Sequence, residues 1–378
     1  MTAHTRHLAL LLMLCSETLA LSGSVSIGTQ KEQSTARDAE IAAQFAPIFF
    51  QALGGKARSD YITNFDFDGD WRGDNNWNNV NKDIPLKAHI YYSVAETATH
   101  LFIHYAVFHP RDYKGGEVRG AILSGLIREG AKHGAKYDPT GLADEAALAH
   151  ENDMEGALVV VKRAGSDLKE AQVAFVETLH HNNFSHYATG DETPGLPKVK
   201  LEGQRALLYI EPKGHGIEAY VGDQKQVSKK DFLKYVYDGR ADDPGKGDLV
   251  CSNLDTADCD KSVSYDLIPL SVLWAKATAE TNTAFGVVFD YGEITLSTSL
   301  TGAAATDKKF KVGKRGCAFL GAVGGVNMAR PPWGWFDLDE RAQPLGNWFF
   351  DPANAIKRHF NLDSHFSTSY VRLPFWTK

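Results

Sequence analysis

Alternation of apolar and polar positions, the two-residue period of half-buried strands, dominates this 378-residue chain. Ala88 to Ala95 and His100 to Phe108 both alternate, and Glu96 to Thr99 between them reads as the turn of an antiparallel pair. In the second strand Phe102, His104, Ala106 and Phe108 share one face and Leu101, Ile103, Tyr105 and Val107 the other, with His104 expected as a hydrogen-bonded sheet histidine. That strand gives way at His109-Pro110-Arg111-Asp112 to a turn that leaves Asp112 at the sheet's end. Ala157 to Lys162, Gln172 to Leu179, Ala206 to Ile210 and Ala284 to Asp290 read as further strands, the first a buried aliphatic run. Helical spacing is confined to Ala121–Lys136, a short turn over Asp144–His150, and Lys229–Tyr237. Asp38 to Leu53 fits either a helix ending near Pro47 or a helix running into a strand, and Tyr265 to Ala277 is apolar without a decisive period. Short strands separated by turns predict a mainly β fold, an antiparallel β-sandwich with helical insertions and an aromatic-rich C-terminal part. No repeat or linker divides it, so residues 25–378 are expected to form one domain with a helical insertion near 121–150.

Composition narrows the picture without naming a function. With 43% hydrophobic and 23% charged residues the chain is an ordinary globular one. A net charge of −7 with scattered Lys and Arg excludes nucleic acid as the main partner. At the N-terminus, Arg6 and the apolar run Leu8 to Cys15, followed by small residues through Ser24, predict a signal peptide over 1–24 and a secreted or periplasmic protein, with a Cys15-acylated lipoprotein as the rival. Cys251 and Cys259 bracket a short polar loop and are expected to form a disulfide, while Cys317 reads as a buried thiol.

Candidate chemistry concentrates in one stretch, His150-Glu151-Asn152-Asp153-Met154-Glu155, directly before a valine-rich strand. Residues two apart on a strand share a face, so Asp153 and Glu155 point together and Met154 away from them, with His150 arriving from upstream. Two carboxylates and an imidazole suit a divalent cation, Mg²⁺, Ca²⁺ or Mn²⁺ in preference to Zn²⁺. Further along, His180, His181 and His186 share one predicted loop. His215, flanked by Gly214 and Gly216, ends a strand where the backbone can approach a neighbour closely. His215 and His181 are therefore candidates for supporting or ligand-binding roles. The alternating aspartates of Asn64 to Trp77 miss the calcium-loop pattern and read as caps of their own loop. There is no Gly-x-Ser-x-Gly elbow.

The spacing His150-x-x-Asp153-x-Glu155 before Leu158-Val159-Val160-Val161, with a tyrosine-containing strand ending in Pro110-Arg111-Asp112, resembles the necrosis-inducing (NLP-type) proteins over roughly residues 91–220. Lys213-Gly214-His215 resembles a motif of their vacuolar protein-sorting relatives. The resemblance implies a metal site at Asp112, His150, Asp153 and Glu155. It departs from the family in the long Asp112–His150 separation and in having Asn152 and Met154 where the motif has histidine and tryptophan. Two functions are expected from this set. One is a secreted metal-binding sandwich that takes a glycan or lipid headgroup, with Trp333, Trp335 or Trp348 as a stacking face and peripheral membrane contact. The alternative is a metal-dependent hydrolase of an ester or phosphodiester, with Glu155 or His215 as general base.

Overall fold

The computed structural model describes residues 35–113, 150–165, 167–190, 195–222, 226, 230–245, 247–252, 260–278, 283–299, 304–322 and 329–373. The segments expected to be a signal peptide (1–24) and a helical insertion (121–149), and Cys259 of the expected disulfide, lie outside the described residues. The chain divides into a small unit, Met1–Ile41, and a large one, Ala42–Lys378. Residues 35–41 of the first are helical. Everything below concerns the second.

Its strands in chain order are β1 (Ile48–Leu53), β2 (His89–Thr97), β3 (His100–Asp112), β4 (His150–Lys162), β5 (Gln172–His180), β6 (Asn183–Ala188), β7 (Leu201–Glu202), β8 (Arg205–Ile210), β9 (Ile217–Ala219), β10 (Asp231–Tyr237) and β11 (Val263–Pro269). The remaining strands, β12 (Phe285–Asp290), β13 (Glu293–Thr298), β14 (Thr306–Lys311), β15 (Lys314–Phe319) and β16 (Tyr370–Arg372), are interspersed with short helices toward the C-terminus. The main sheet runs β6-β5-β4-β3-β2-β11-β10-β1-β8-β7, with β9 also on β8. It is mainly antiparallel, but β2–β11, β11–β10 and β1–β8 pair in parallel. The expected antiparallel sandwich is thus corrected to a nearly closed, mixed barrel. Alternation reports that a strand has two different faces and is silent on the direction of its partner, which depends on how the connection returns.

The predicted hairpin is present as β2–β3, with Ala98 and Thr99 alone between the strands. β3 does not turn at Pro110. It continues to Asp112 because β4 begins at His150 and pairs Arg111 with Glu151 and Asp112 with His150. The proline, which has no N–H to give, lies where that ladder has no pair. Lys229–Tyr237 is corrected from helix to strand over its described part, β10. Phe232, Leu233 and Tyr235 are all fully buried between β1 and β11, so apolar residues occupy both faces and the two-residue period is hidden. The three histidines placed in one loop are also redistributed: His180 ends β5, His181 and Asn182 form a two-residue turn, and His186 lies on β6. Tyr265–Ala277 resolves into β11 and then helix α1 (Ser271–Lys276).

β3 and β4 are covered on both sides. On the outer face Phe102, Ala106, Phe108, Met154, Leu158 and Val160 join a core with Phe175, Leu179, Trp333, Trp335 and Trp348. Two helices, α2 (Asn347–Phe350) and α3 (Pro352–His359), press onto this face. His104 sits in it as a sheet histidine, its Nε2 3.0 Å from Trp348 O and its Nδ1 3.4 Å from Ser93 Oγ. Of the two roles open to the C-terminal tryptophans, a stacking face and a plug at the end of the sheet, the structure shows the plug: Trp333, Trp335 and Trp348 are 0%, 3% and 1% exposed. Each indole N–H is already engaged, with Gly316 O, Met154 O and the Glu177 carboxylate respectively.

Two outcomes follow from this packing. Gly156 lies where an added Cβ would strike the Trp335 ring and come 2.7 Å from Tyr105 O. Gly156→Ala is therefore expected to cost about 1–3 kcal/mol in denaturant unfolding. Burial also holds His104, and burial aided by the Lys162 charge holds His100, down at about pKa 4. The unfolded chain takes up these protons near pH 6.5 and the folded one only near 4, so stability is retained above 6.5 and lost as pH falls between the two, by on the order of 3 kcal/mol per ring. Unfolding free energy measured from pH 7 to 4 should fall, and His100→Phe should flatten part of that fall.

Candidate metal and ligand site

The curled sheet brings β4 and β5 toward β8 and β9, and the candidate residues gather at this seam. Gly216 packs so tightly on the His180 ring that a Cβ there would overlap it, the close approach expected of the glycines around His215. Across the same gap His180 Nδ1 is 3.1 Å from Glu218 Oε1.

His215 is the hub. Its Nδ1 donates to Asp153 Oδ2 at 2.8 Å and its Nε2 to Asp60 Oδ1 at 3.2 Å, with all three groups buried. Burial disfavours charge on His215, but the hydrogen bonds and charges of Asp153 and Asp60 outweigh it and raise its pKa to about 10. Asp60 is fixed in turn: its Oδ1 accepts from Lys213 N at 2.7 Å, and its Oδ2 accepts from Gly54 N at 2.7 Å and Tyr113 OH at 3.1 Å. Beneath the ring, His109 stacks at 3.8 Å between centroids. Burial and the His215 charge hold His109 well below its ordinary pKa, so it stays neutral. With both nitrogens donating to carboxylates, His215 has no lone pair to accept a proton, which removes it as a general base.

Asp153 and Glu155 do point together, and Met154 turns to the opposite core. Burial opposes ionisation of Asp153, yet the His215 hydrogen bond and the charges of His215, His150 and His181 keep its pKa below the ordinary value. Glu155 has the reverse fate. Burial first, then the charges of Asp153, Glu211 and Asp112, push it well above the carboxylate range. Its Oε1 accepts from His181 N at 3.2 Å, while its Oε2 is buried with no hydrogen-bond partner.

His150 Nε2 lies 3.5 Å from Asp112 Oδ2, and its Nδ1 is 2.8 Å from Asn152 O. A carbonyl only accepts, so Nδ1 carries the hydrogen, and Nε2 is the ring nitrogen that faces Asp112. The left-handed backbone of Asn152 (φ 59°) interrupts the alternation that would put His150 and Asp153 on opposite faces. Its own amide is locked to Gly73 O and Leu320 O, each at 2.8 Å, and to Asn76. Glu151 is used likewise: its carboxylate accepts from Trp77 N at 2.6 Å and Ala322 N at 2.7 Å. The aspartates of the Asn64–Trp77 loop behave as expected, Asp68 accepting from Asp70 N at 3.2 Å and Asp70 from Arg72 N at 2.7 Å.

Near the mouth of the site His181 Nε2 is 3.0 Å and His180 Nε2 3.6 Å from Glu211, and these three offer ligand atoms within 4.8 Å of one another. Glu211 and Glu218 raise the pKa of His180 to about 9. Asp60, His109, Glu211, Glu218 and the role of His180 belong to no motif in the sequence. Glu211 directly follows the strand that leads to His215, a usable signal, whereas nothing in Ala57-Arg58-Ser59-Asp60 marks the aspartate.

No family model and no curated protein sequence matches the chain. Several solved structures do, and they are of the necrosis-inducing type that the motif resembles. The non-toxic HaNLP3 protein is 13% identical with a TM-score of 0.30, over 65% of this chain and 82% of that one. Necrosis and Ethylene inducing Protein 2, from the causal agent of cocoa's witches' broom disease, is 16% identical with a TM-score of 0.27, over 48% and 67%. NLPPya in complex with mannosamine is 15% identical with a TM-score of 0.21, over 35% of this chain and 44% of that one. The chain thus spans less than half of the NLPPya structure it matches, and TM-scores of this size do not establish a common fold. The vacuolar protein-sorting resemblance gains no support from these structures.

Asp60→Asn leaves the buried His215 charge with one carboxylate partner. It is expected to cost about 3–5 kcal/mol in denaturant unfolding and to lower the His215 pKa followed by NMR.

Proposed function

We propose that the protein binds a divalent cation through Asp112, His150, Asp153 and Glu155 and, with that cation and the carboxylates around it, holds a glycan. The observation that carries this reading is Glu155, a buried carboxyl with an unpartnered oxygen, crowded by Asp112, Asp153 and Glu211. Buried carboxylates that repel one another favour a cation, and the unpartnered Glu155 oxygen is an atom that could ligate it. Three carboxylates and one imidazole form an oxygen-rich set suited to Mg²⁺, Ca²⁺ or Mn²⁺ more than to Zn²⁺. When bound, such an ion neutralises the cluster and offers coordination to hydroxyl oxygens. The chain's own part is to fix the donors: Asn152 O orients the His150 ring, and His215 holds Asp153 in its ionised form. Glu211 and Glu218, each about a quarter exposed, supply acceptors for sugar hydroxyl or ammonium groups at the mouth. A secreted location, expected from residues 1–24, fits a glycan partner.

The raised pKa of Glu155 favours a second reading. A carboxyl held well above the carboxylate range by burial is also what a general acid requires, so a metal-dependent hydrolase of an ester or phosphodiester is the rival.

Metal content of the purified full chain, after exposure to Mg²⁺, Ca²⁺ and Mn²⁺, tests the first reading. Binding of glucosamine, mannosamine and a glycan array, with and without chelator, is measured beside it, and vesicles of defined headgroup serve as the lipid arm. One bound cation and chelator-sensitive sugar binding are expected. Glu155→Gln and Asp153→Asn should weaken the metal by about a hundredfold or more, beyond the loss typical of residues that merely support ligands. Sugar binding indifferent to chelator and to both substitutions would sink the proposal. Chelator-sensitive turnover of chromogenic esters would favour the hydrolase.

A further inference from the structure

A second group of metal-type donors lies on the other face of the sheet, apart from the seam. Glu177 on β5 pairs in register with His186 on β6 and with Leu158 on β4, and it faces the outer core containing Leu158, Phe175 and Leu179. The last residue of α3, His359, descends onto the same point. Glu177 Oε1 is 2.8 Å from His186 Nδ1 and 2.6 Å from His359 Nδ1, and the three ligand atoms all lie within 4.8 Å of one another. The Glu177 side chain is fully buried and that of His186 about a quarter exposed, so the group is open on one side.

The surroundings of these three residues have the arrangement that ligating side chains need. Trp348 Nε1 donates to the remaining oxygen of Glu177 at 2.6 Å and fixes the plane of the carboxylate. His359 Nε2 lies 3.0 Å from Glu340 Oε2, an ion-pair contact without hydrogen-bond geometry, and Arg358 holds Glu340 through two bonds of 3.2 and 2.8 Å. A carboxylate on the far nitrogen of a histidine is the usual way a protein aims the near nitrogen at a metal. Buried Asp337 lies within electrostatic reach of both imidazoles and adds negative charge beside them.

Two N–H groups pointing at one carboxylate oxygen also have a simple chemical counterpart. Each contact needs a hydrogen on Nδ1, so two hydrogens occupy the space among three ligand atoms. A dication in that space displaces both as protons, and the local charge is conserved when both rings start as imidazolium. We propose that Glu177, His186 and His359 bind Zn²⁺, and that the ion ties helix α3 to the β5–β6 hairpin. Two imidazoles and a carboxylate form a zinc set with the fourth position left to water or to Asp337. Ligand distances of about 2.0–2.2 Å place donor atoms roughly 3.3 Å apart in a tetrahedron, so the His186 and His359 contacts need to open by about 0.5 and about 0.7 Å.

The test uses the purified full chain, stripped of metal and titrated with Zn²⁺ by calorimetry and with Co²⁺ by visible absorption. One saturable equivalent with a tetrahedral cobalt spectrum is expected, retained in Glu155→Gln, which separates this site from the seam. Zinc affinity should drop by about a hundredfold or more in His359→Gln, and by about 10–100-fold in Glu340→Gln, which leaves all three ligating side chains in place. Proton release, seen as a dependence of the binding heat on buffer, should accompany the wild-type titration. A wild-type protein with no saturable tetrahedral cobalt signal overturns the proposal, as does undiminished zinc binding in a chain carrying both His186→Gln and His359→Gln; either result leaves the cluster as a hydrogen-bonded clamp only. Should the substituted chains not fold, histidine carbethoxylation mapped on the wild type decides: zinc must protect His186, and unchanged modification rejects the site.

Discussion

A charged imidazole at position 215, wholly buried, is shared between Asp60 and Asp153. The first carboxylate follows β1, the second opens β4, and the histidine itself joins β8 to β9, so this one cation links the two ends of a sheet that curls almost into a barrel. Hydrophobic burial is non-directional and would hold those ends together in many registers. The Asp60–His215–Asp153 chain selects one, because a buried carboxylate or imidazolium shifted out of reach of its partner carries a desolvation cost of several kcal/mol. Having spent its charge on Asp60 and Asp153, His215 leaves none for Glu155.

Much of this was legible in the sequence, for a specific reason. On a strand, chemistry and packing are sorted by parity, so Asp153 and Glu155 were separated from Met154 and Leu158 by counting alone. The hairpin β2–β3 and the buried aliphatic strand followed from the same count. Parity failed where both faces of a strand are covered, as at Phe232, Leu233 and Tyr235, and where the chain leaves the extended region, as at Asn152. Partner direction was beyond it altogether, which is why a sandwich was expected and a mixed barrel found. Asp60 was invisible because its importance comes from what it touches, more than 150 residues away in the chain.

The same alternation lets one sheet carry two separate polar groups without mixing them. His180 of β5 belongs to the seam side, where Glu211 and Glu218 meet it, and Glu177 belongs to the outer side among the C-terminal aromatics. The aromatic segment is then more than a plug. Trp335 presses on Gly156, directly beside Glu155, while Trp348 holds Glu177, so the outer core braces the strands from which both polar groups project. Burying these indoles supplies the hydrophobic free energy that offsets the cost of the carboxylates.

Four of the five non-glycine residues at positive φ among the described residues are Asn152, His181, Lys213 and His215, all at the seam. Left-handed backbone costs a residue with a Cβ roughly 1–2 kcal/mol, so the concentration is informative. Each departure delivers a group that regular strands would misdirect. Asn152 reverses the side on which His150 emerges. The turn at His181 aims an N–H at Glu155 and an imidazole at Glu211. The bend over Lys213 and His215 supplies an N–H to Asp60 and a ring to both carboxylates. Carboxylates repel and do not assemble unaided; here the backbone is strained to gather them, and packing on the opposite face together with the His215 charge sustains that strain.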